Sequence, residues 1–248
     1  MKLSRTRLDR FVSLHTDIAK NSIRLLIAQK KITINGLLAH SANQTITPFD
    51  QVNVTGKMLP HKTARYVVLH KPKGVVSATR DDKNQTVLDI IQHPHKDELH
   101  IAGRLDFNTT GLMLLSNDGF WTRHLSLPEL CIQKHYLVTT ADPITEQYRT
   151  QFLAGIDFNF EGITTKPAVL TIINSHQAEL ALTEGRYHQV KRMFGFFNNT
   201  VTQLHRFAIG PLHLPANLAP GNYAELTQQQ AYSMLKPNNS NQITPKPD

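Results

Sequence analysis

Residues 103–119, GRLDFNTTGLMLLSNDG, constrain the fold more than any other stretch of this 248-residue chain. Two glycines and several small polar residues surround Asp106, and the apolar run GLMLLS follows. The segment LHIA before the glycines and the run after them both have the composition of β-strands. Gly103 and Gly111 permit a tight backbone. The pattern predicts a loop that holds Asp106 rigidly at the end of a sheet, as a nucleophile or general base requires.

The other polar residues of this stretch have structural roles in our interpretation. Thr109 and Thr110 are expected to bond the buried amides of the loop. Asp118, in SNDGFW, is expected to cap a helix that begins near Phe120. Asp106 is therefore the residue of this stretch that we assign to chemistry.

A sheltered aspartate stays ionised only where a cation or hydrogen bonds favour its charged form. The candidate cations are Arg104 beside it, and Lys191 or Arg192 in the segment EGRYHQVKRMF. This segment predicts a strand end, a Glu-Gly turn and a helix with Lys191 near its start. The residues alone leave open the alternative that Lys191 is an ordinary lysine of a helix surface.

Composition limits the classes of function. The formal charge of +8 indicates an anionic partner, most simply nucleic acid, with a generic basic surface as the alternative. One cysteine, Cys131, excludes an internal disulfide and fits a reducing cytoplasm. The sequence contains no apolar run long enough to span a bilayer, and its start lacks a signal-peptide core, so we expect a cytoplasmic protein with no membrane partner. The thirteen histidines show no metal-ligand spacing, and no metal site is expected.

The first 58 residues predict a separate small domain of two helices and a sheet. Asn21 or Ser22 is the expected N-cap of the second helix, and the Asn35-Gly36 pair predicts a hairpin. This order of elements resembles the S4 RNA-binding domain, with a small αβ module whose lysines are merely solvated as the alternative. The basic residues expected to bind RNA are Arg5, Arg7, Arg24, Lys30 and Lys31.

The rest of the chain predicts a second, larger domain. Residues 59–65 are polar and contain proline, which is typical of a linker. Residues 66–236 alternate β-rich runs with turns and a few helices, which predicts an α+β domain with a mostly antiparallel mixed sheet flanked by helices. Residues 237–248 are polar and proline-rich and are expected to form a disordered tail.

Three motifs in order, GRLDFNTTGLMLLSNDG, KHYLV and EGRYHQVKRMF, resemble the core motifs of the pseudouridine synthases of the RsuA/RluB branch, which also carry an N-terminal S4 domain. The resemblance covers residues 3–233. It implies that Asp106 is the catalytic aspartate, Tyr136 the active-site tyrosine and Lys191 the cation paired with the aspartate. It also places Arg104 against the RNA near a flipped nucleotide. Further RNA contacts are expected from the basic residues of the third motif, Arg186, His188 and Arg192.

The resemblance implies an isomerase. The N-glycosidic bond of a uridine is broken, the uracil turns, and its C5 is joined to the same ribose. This reaction needs neither redox change nor external energy, so no cofactor is expected. Asp106 would either attack C1′ or take a proton from C2′, and Tyr136 would stack on the uracil. Flipping the target costs a few kcal/mol, which basic and aromatic residues around the loop can offset.

The third motif, RYHQVKRM, follows the form of the small-subunit rRNA enzymes of this branch rather than NRQVRRM, and TKPAVL at 165–170 agrees with it. The expected partner is therefore 16S rRNA or a small-subunit assembly intermediate, with uridine 516 as the target of a monomeric enzyme. Three alternatives stay open. They are a 23S rRNA synthase of the RluB, RluE or RluF type, a non-catalytic S4-type RNA-binding or ribosome-assembly factor, and a glycoside hydrolase with Glu184 as second acid.

Overall fold

A computed structural model describes residues 5–158 and 161–235, and it divides the chain into two compact units, Met1–Ala64 and Arg65–Asp248. We call these the N-terminal unit and the C-terminal unit. Each unit has its own cluster of buried apolar side chains. The predicted tail at 237–248 lies outside the described residues. Within the described part of the chain, every helix is too short or too polar to cross a membrane.

In the described residues of the N-terminal unit, two helices accompany six short strands. The elements are β1 (Thr6–Arg7), α1 (Leu8–His15), α2 (Lys20–Ala28), β2 (Ile32–Ile34), β3 (Leu37–Leu38), β4 (Thr45–Ile46), β5 (Val52–Val54) and β6 (Lys57–Met58). Strands β3, β2, β5 and β6 form an antiparallel sheet in that order, and β1 pairs with β4. Leu8 and Val12 of α1 and Ile23 of α2 are fully buried against the sheet residues of the same core.

The Asn35-Gly36 hairpin is confirmed. Both residues have positive φ, +52° and +82°, which is the turn geometry that matches the twist of paired strands. The Asn35 side chain donates to Asp50 at 2.7 Å and accepts from the amide of Gln51 at 2.9 Å, so the turn is also tied to the segment before β5.

The predicted N-cap of α2 is wrong. Ala19 occupies the N-cap position, and its side chain has no oxygen that could accept a hydrogen bond. The amide of Ser22 already bonds the carbonyl of Ala19 at 2.9 Å, so Asn21 and Ser22 lie inside the first turn. At the other end, Lys30 has φ +57°, and the amide of Lys31 bonds the carbonyl of Leu26. This C-terminal cap leaves both lysines exposed at the end of the helix.

The C-terminal unit contains the larger sheet. In chain order its elements are β7 (Tyr66–Lys71), α3 (Val87–Ile90), β8 (His100–Ala102), β9 (Thr110–Ser116), α4 (Gly119–Leu125), β10 (Lys134–Thr140), α5 (Glu146–Ala154), β11 (Asp157–Phe158), β12 (Ile163–Thr164), β13 (Val169–Asn174), β14 (Gln177–Leu182), α6 (Gln189–Gly195), β15 (Val201–Ile209), β16 (Leu212–His213), β17 (Tyr223–Leu226) and α7 (Gln228–Ser233). Single 3-10 turns occur at Lys96–Glu98 and Pro128–Leu130.

Nine of these strands form one mixed sheet. Its order is β13-β14-β10-β15-β9-β7-β17, with β16 beside β15 and β8 beside β9. Among the described pairings of this sheet, β15 with β9 is parallel and the others are antiparallel. The predicted α+β class with a mostly antiparallel sheet is therefore confirmed. The parallel pair aligns His205 with Thr110 and Arg206 with Gly111, next to the loop that carries Asp106.

Helix packing confirms two further predictions. Val190, Met193 and Phe194 of α6 are buried, as the spacing of the third motif predicts. Asp118 is the N-cap of α4, and its Oδ1 accepts from the amides of Phe120 and Trp121 at 3.0 and 3.2 Å.

Candidate active site

Asp106 lies in the loop between β8 and β9, at the end of the sheet where the sequence places it. Gly111, just inside β9, has φ +109°, and a Cβ added there would lie 2.2 Å from the carbonyl oxygen of Arg206. Only glycine allows this close approach of β15 to β9. Gly103, at the other side of the loop, has φ +83° but open space around it, so its glycine serves backbone conformation alone.

The threonines of the loop do not bond its amides, contrary to the prediction. The hydroxyl of Thr110 bonds Nδ1 of His205 at 2.8 Å, across the parallel strand pair. The hydroxyl of Thr109 is buried and has no hydrogen-bond partner among the described residues. The loop needs no threonine cap because the amide of Thr109 bonds the carbonyl of Asp106 at 3.0 Å.

Lys71, at the end of β7, binds backbone carbonyls of the loop that carries Asp106. Its side chain is fully buried, and its ammonium lies 2.9–3.2 Å from four carbonyl oxygens, those of Pro72, Asp106, Phe107 and Thr109. Burial lowers the pKa of Lys71 to about 8, against the opposing influence of the Asp106 charge. Sequence reasoning missed this residue, because a lysine that ends a strand is ordinarily solvated.

A second brace comes from the segment after β7. The hydroxyl of Ser77 donates to the carbonyl of Leu105 at 2.5 Å and accepts from the amide of Leu105 at 3.0 Å. The amide of Gly74 donates to the carbonyl of Phe107 at 3.0 Å. The residues on both sides of Asp106 are therefore fixed, and the carboxylate projects from a rigid backbone.

The carboxylate of Asp106 meets two basic side chains of the third motif. Nζ of Lys191 lies 3.2 Å from Oδ2, and Nε2 of His188 lies 3.5 Å from Oδ1. The Asp106 side chain is 26% exposed, so the pair is partly screened by solvent. Of the candidate cations, the structure brings Lys191 to the aspartate. Arg192 lies elsewhere, 2.7 Å from Glu161, with its guanidinium 3.6 Å above the ring of Phe158.

Glu184 positions the start of α6. Its buried carboxylate accepts from Nε2 of Gln189 at 2.6 Å, from Nε of Arg186 at 3.1 Å and from the amide of Lys166 at 3.0 Å. The amide of Arg186 in turn donates to Oε1 of Gln189. These bonds fix the turn that presents His188, whose φ of +50° is unusual for a residue other than glycine. Glu184 is thus engaged in holding the turn rather than serving as a second catalytic acid, which removes the basis of the glycoside hydrolase alternative.

A cleft of about 170 Å³ opens beside Asp106. Its apolar wall includes the buried ring of Tyr136 on β10, together with Leu182, Leu204 and Ile209. Asp106 is the single acidic residue among the described residues that line it. The basic lining residues are Arg104, Lys134, Arg186, His188, Lys191 and Arg206. The excess of positive charge suits an anionic substrate.

Two of these basic residues were not predicted from the sequence. Arg206 on β15 is only 2% exposed, and its Nε donates to the carbonyl of Leu112 at 2.8 Å. Lys134 begins β10, and its ammonium donates to the carbonyl of Ile132 at 3.1 Å. Burial, and then repulsion by Arg206, lower the pKa of Lys134 to about 8. Nothing in either local segment signals this placement, because it depends on the order of strands in the sheet.

Two exposed aromatic residues lie next to Asp106 and His188 in the sequence. Phe107, next to Asp106, is 44% exposed, and Tyr187 is 71% exposed. The Tyr187 ring stacks on His188, with ring centroids 4.0 Å apart and an interplanar angle of 15°. Exposed rings beside a basic cleft are surfaces on which unpaired bases can stack.

The N-terminal unit presents the predicted basic residues at its own surface. The exposed positions are Arg5, Arg7, Arg24, Lys30 and Lys31. Arg7 is held by an internal partner, because its Nε lies 3.1 Å from Oδ1 of Asp9. In the ranges 5–158 and 161–235, no group of three or more histidine, cysteine or acidic side chains is placed to hold a metal ion.

Comparison with known proteins finds one family over most of the C-terminal unit and similar proteins over nearly the whole chain. The model of the RNA pseudouridylate synthase family matches residues 65–195. The ribosomal small subunit pseudouridine synthase A of Pseudomonas aeruginosa is 44% identical over 92% of this chain and 100% of that protein. The proteins of the same name in Pasteurella multocida and Escherichia coli strain K12 are 37% and 38% identical over 93% and 92% of this chain, and the aligned regions cover each of them completely.

A solved structure gives the same result for the fold. The crystal structure of a pseudouridylate synthase aligns with a TM-score of 0.67 and 37% sequence identity, covering 92% of this chain and 99% of that one.

Proposed function

The chain belongs to the RNA pseudouridylate synthase family, and we propose that it converts uridine 516 of 16S rRNA to pseudouridine with Asp106 as the catalytic residue. The observation that carries the proposal is the Asp106 carboxylate, 3.2 Å from Lys191 at the mouth of a basic cleft. The small-subunit substrate is supported by the names of the similar proteins and by the motif RYHQVKRM.

Asp106 acts on the ribose. Either its carboxylate attacks C1′, or it removes a proton from C2′; on both routes the N1–C1′ bond breaks and its electron pair leaves with the uracil. The uracil then turns, and its C5 forms the new bond to C1′. On the first route the Asp106–C1′ ester bond breaks as this bond forms, and on the second route Asp106 returns the proton to C2′. On both routes C5 then loses its proton and N1 gains one. The Lys191 ammonium lies 3.2 Å from Oδ2 of Asp106, where it attracts the negative carboxylate that either route uses. The braces from Lys71 and Ser77 hold it in one position while the sugar approaches.

Tyr136 and its apolar neighbours receive the base. The buried ring of Tyr136 lies in the cleft wall with Leu204 and Ile209, so a planar uracil can leave the RNA stack and pack against it. The exposed cations Arg104 and Arg186 lie at the same cleft, where they can bind phosphates on either side of the target. Phe107 and Tyr187 offer stacking surfaces for the neighbouring bases, which offsets the cost of flipping.

The domain organisation is part of the proposal. Residues 1–58 act as an S4-like RNA-binding domain, 59–65 as a linker and 66–236 as the catalytic domain. Two helices packed on a small sheet, with exposed lysines at the end of α2, support this role. The proposal includes action as a monomer on 16S rRNA or on a small-subunit assembly intermediate, in the cytoplasm where ribosomes are made.

The test uses 16S rRNA transcripts and immature small subunits that lack the modification. Wild-type chain should form pseudouridine at one position, mapped by mass spectrometry of nuclease fragments, and Asp106→Asn should lose about 10³-fold or more in rate. Asp97→Asn changes an exposed aspartate and is the matched control. Modification of 23S rRNA instead would identify a large-subunit enzyme. RNA binding without conversion by the wild type would identify an assembly factor.

A further inference from the structure

Arg206 carries a buried donor that the protein itself does not use. Its Nε bonds the carbonyl of Leu112, but its Nη2 is buried and has no hydrogen-bond partner among the described residues, although Arg206 lines the cleft. A buried polar group left without a partner destabilises the folded state, and more so when it is charged. Such a cost in a native fold calls for a functional explanation.

The position of Arg206 indicates which acceptor is missing. It lies opposite Tyr136 in the pairing of β15 with β10, and both side chains line the cleft beside Asp106. The surrounding wall is apolar, with Leu204 and Ile209 from the same strand. A planar base fits this part of the cleft, whereas a hydrated phosphate is better served by the exposed arginines Arg104 and Arg186.

We propose that Nη2 of Arg206 binds a carbonyl oxygen of the target uracil and stabilises the charge that the base carries when it leaves the ribose. This inference rests on the proposed function. Breakage of the N1–C1′ bond leaves the bonding electrons on the base, where N1, O2 and O4 share the charge. A preorganised cation in a site closed to water stabilises such a charge without first having to reorganise.

The charge balance of the cleft supports this role. Arg206, Lys134 and Lys71 are neighbouring cations. Burial is the main cause that lowers the pKa of both lysines, and the charge of Arg206 lowers it further. The ammonium of Lys71 is committed to four carbonyls, and Asp106 is already paired with Lys191. The cleft therefore has positive charge in excess until an anion forms within it. An arginine keeps its charge throughout, so this compensation is available at every stage of the reaction.

The test compares uridine with 5-fluorouridine at the target position of the same RNA. Fluorine withdraws electrons from the ring and makes the departing base a better leaving group, so less help from the protein is needed. Arg206→Met should lower the single-turnover rate on uridine RNA about 100-fold or more. The factor by which Arg206→Met lowers the rate on 5-fluorouridine RNA should be several-fold smaller. That rate is followed as disappearance of the nucleoside by mass spectrometry. RNA affinity and its salt dependence should match the wild type.

Control variants distinguish this inference from a structural role of Arg206, from a phosphate contact and from failure of the proposed function. Arg149→Met removes an exposed arginine of α5 and should behave as wild type on both RNAs. Arg206→Lys keeps the charge and should lose less rate, and it serves as the readout if the methionine variant does not fold. An equal loss on the two RNAs would indicate a structural role, and a parallel loss of affinity would indicate a phosphate contact; either overturns the inference. If wild-type chain converts neither RNA, the proposed function fails instead.

Discussion

Lys191 places its ammonium 3.2 Å from the carboxylate of Asp106, and the two residues come from separate sequence motifs that only the folded sheet brings together. Each side chain is about one-quarter to one-third exposed, so solvent weakens their attraction. The pair should therefore affect the rate of the reaction more than the stability of the fold.

Lys191→Met should reduce activity far more than Lys191→Arg. Methionine retains most of the length but removes the charge, so the carboxylate of Asp106 loses the cation that lies 3.2 Å from it. The methionine variant should lose about 100-fold or more in single-turnover rate, and the arginine variant, which keeps a cation with different geometry, about tenfold or less. A methionine variant whose rate equals that of the wild type would show that the pair has no catalytic role.

Lys71→Met should destabilise the C-terminal unit by about 3 kcal/mol, because four loop carbonyls lose the ammonium that they surround. The rate should fall as well, since the loop that carries Asp106 loosens. Urea unfolding gives the first quantity and single-turnover kinetics the second. Lys73→Met, two residues along and exposed, is the control. Unchanged unfolding of the Lys71 variant would contradict the proposed brace.

Gly111→Ala and Gly103→Ala form a matched pair. Both glycines have positive φ, which costs an alanine about 1–2 kcal/mol. At position 111 the new methyl group would also lie 2.2 Å from a carbonyl oxygen of β15 and force the strands apart. We expect Gly103→Ala to lower the melting temperature modestly and Gly111→Ala to prevent stable folding. Equal shifts for the two variants would mean that β9 and β15 lie farther apart than described.

Lys134 predicts a pH dependence of RNA affinity. Burial and the charge of Arg206 lower its pKa to about 8, so the free protein loses this positive charge as the pH rises through 8. An anionic ligand favours the charged form, so affinity should fall between pH 7 and 9. Lys134→Met should bind about tenfold more weakly at pH 7 and show a flatter pH profile. The control is Lys96→Met, in a turn outside the cleft, which should retain the wild-type profile. Parallel profiles for wild type and Lys134→Met would exclude this lysine from binding.

Removal of residues 1–64 should leave a C-terminal unit that folds, because its apolar cluster is independent of the first unit. Affinity for 16S rRNA should fall, and the slope of log affinity against log salt concentration should become shallower, since fewer cations displace counterions from the RNA. Equal slopes for the full chain and the truncated chain would contradict an RNA-binding role for the N-terminal unit.

The local sequence pattern was sufficient to predict structure where a side chain contacts residues close to it in the sequence. The Asn35-Gly36 turn, the Asp118 cap and the buried face of α6 all follow from spacing within a few residues. The position of Asp106 follows in the same way, because glycines and an apolar strand surround it. Its pairing with Lys191, by contrast, was inferred from resemblance and is a property of the assembled sheet.

Residues that act through distant contacts were missed. Lys71 and Arg206 each lie within a strand whose sequence gives no sign that a charged side chain is buried there. The neighbouring strand buries them, and the order of strands in the sheet cannot be inferred from any single segment of the sequence. The prediction that the loop threonines bond loop amides was wrong for the same reason. Thr110 bonds His205 of β15 instead of an amide of its own loop.

Strand β15 also determines when the cleft can form during synthesis and folding of the chain. It lies between β10 and β9, and so joins the two halves of the large sheet, although it is made about 90 residues after the loop that carries Asp106. Pairing contacts so far apart along the chain require a long loop to be closed first, which makes their formation slow. A nascent chain that has emerged only as far as β14 therefore carries Asp106 without the strand that completes the cleft. We expect the cleft to be among the last parts of the C-terminal unit to form.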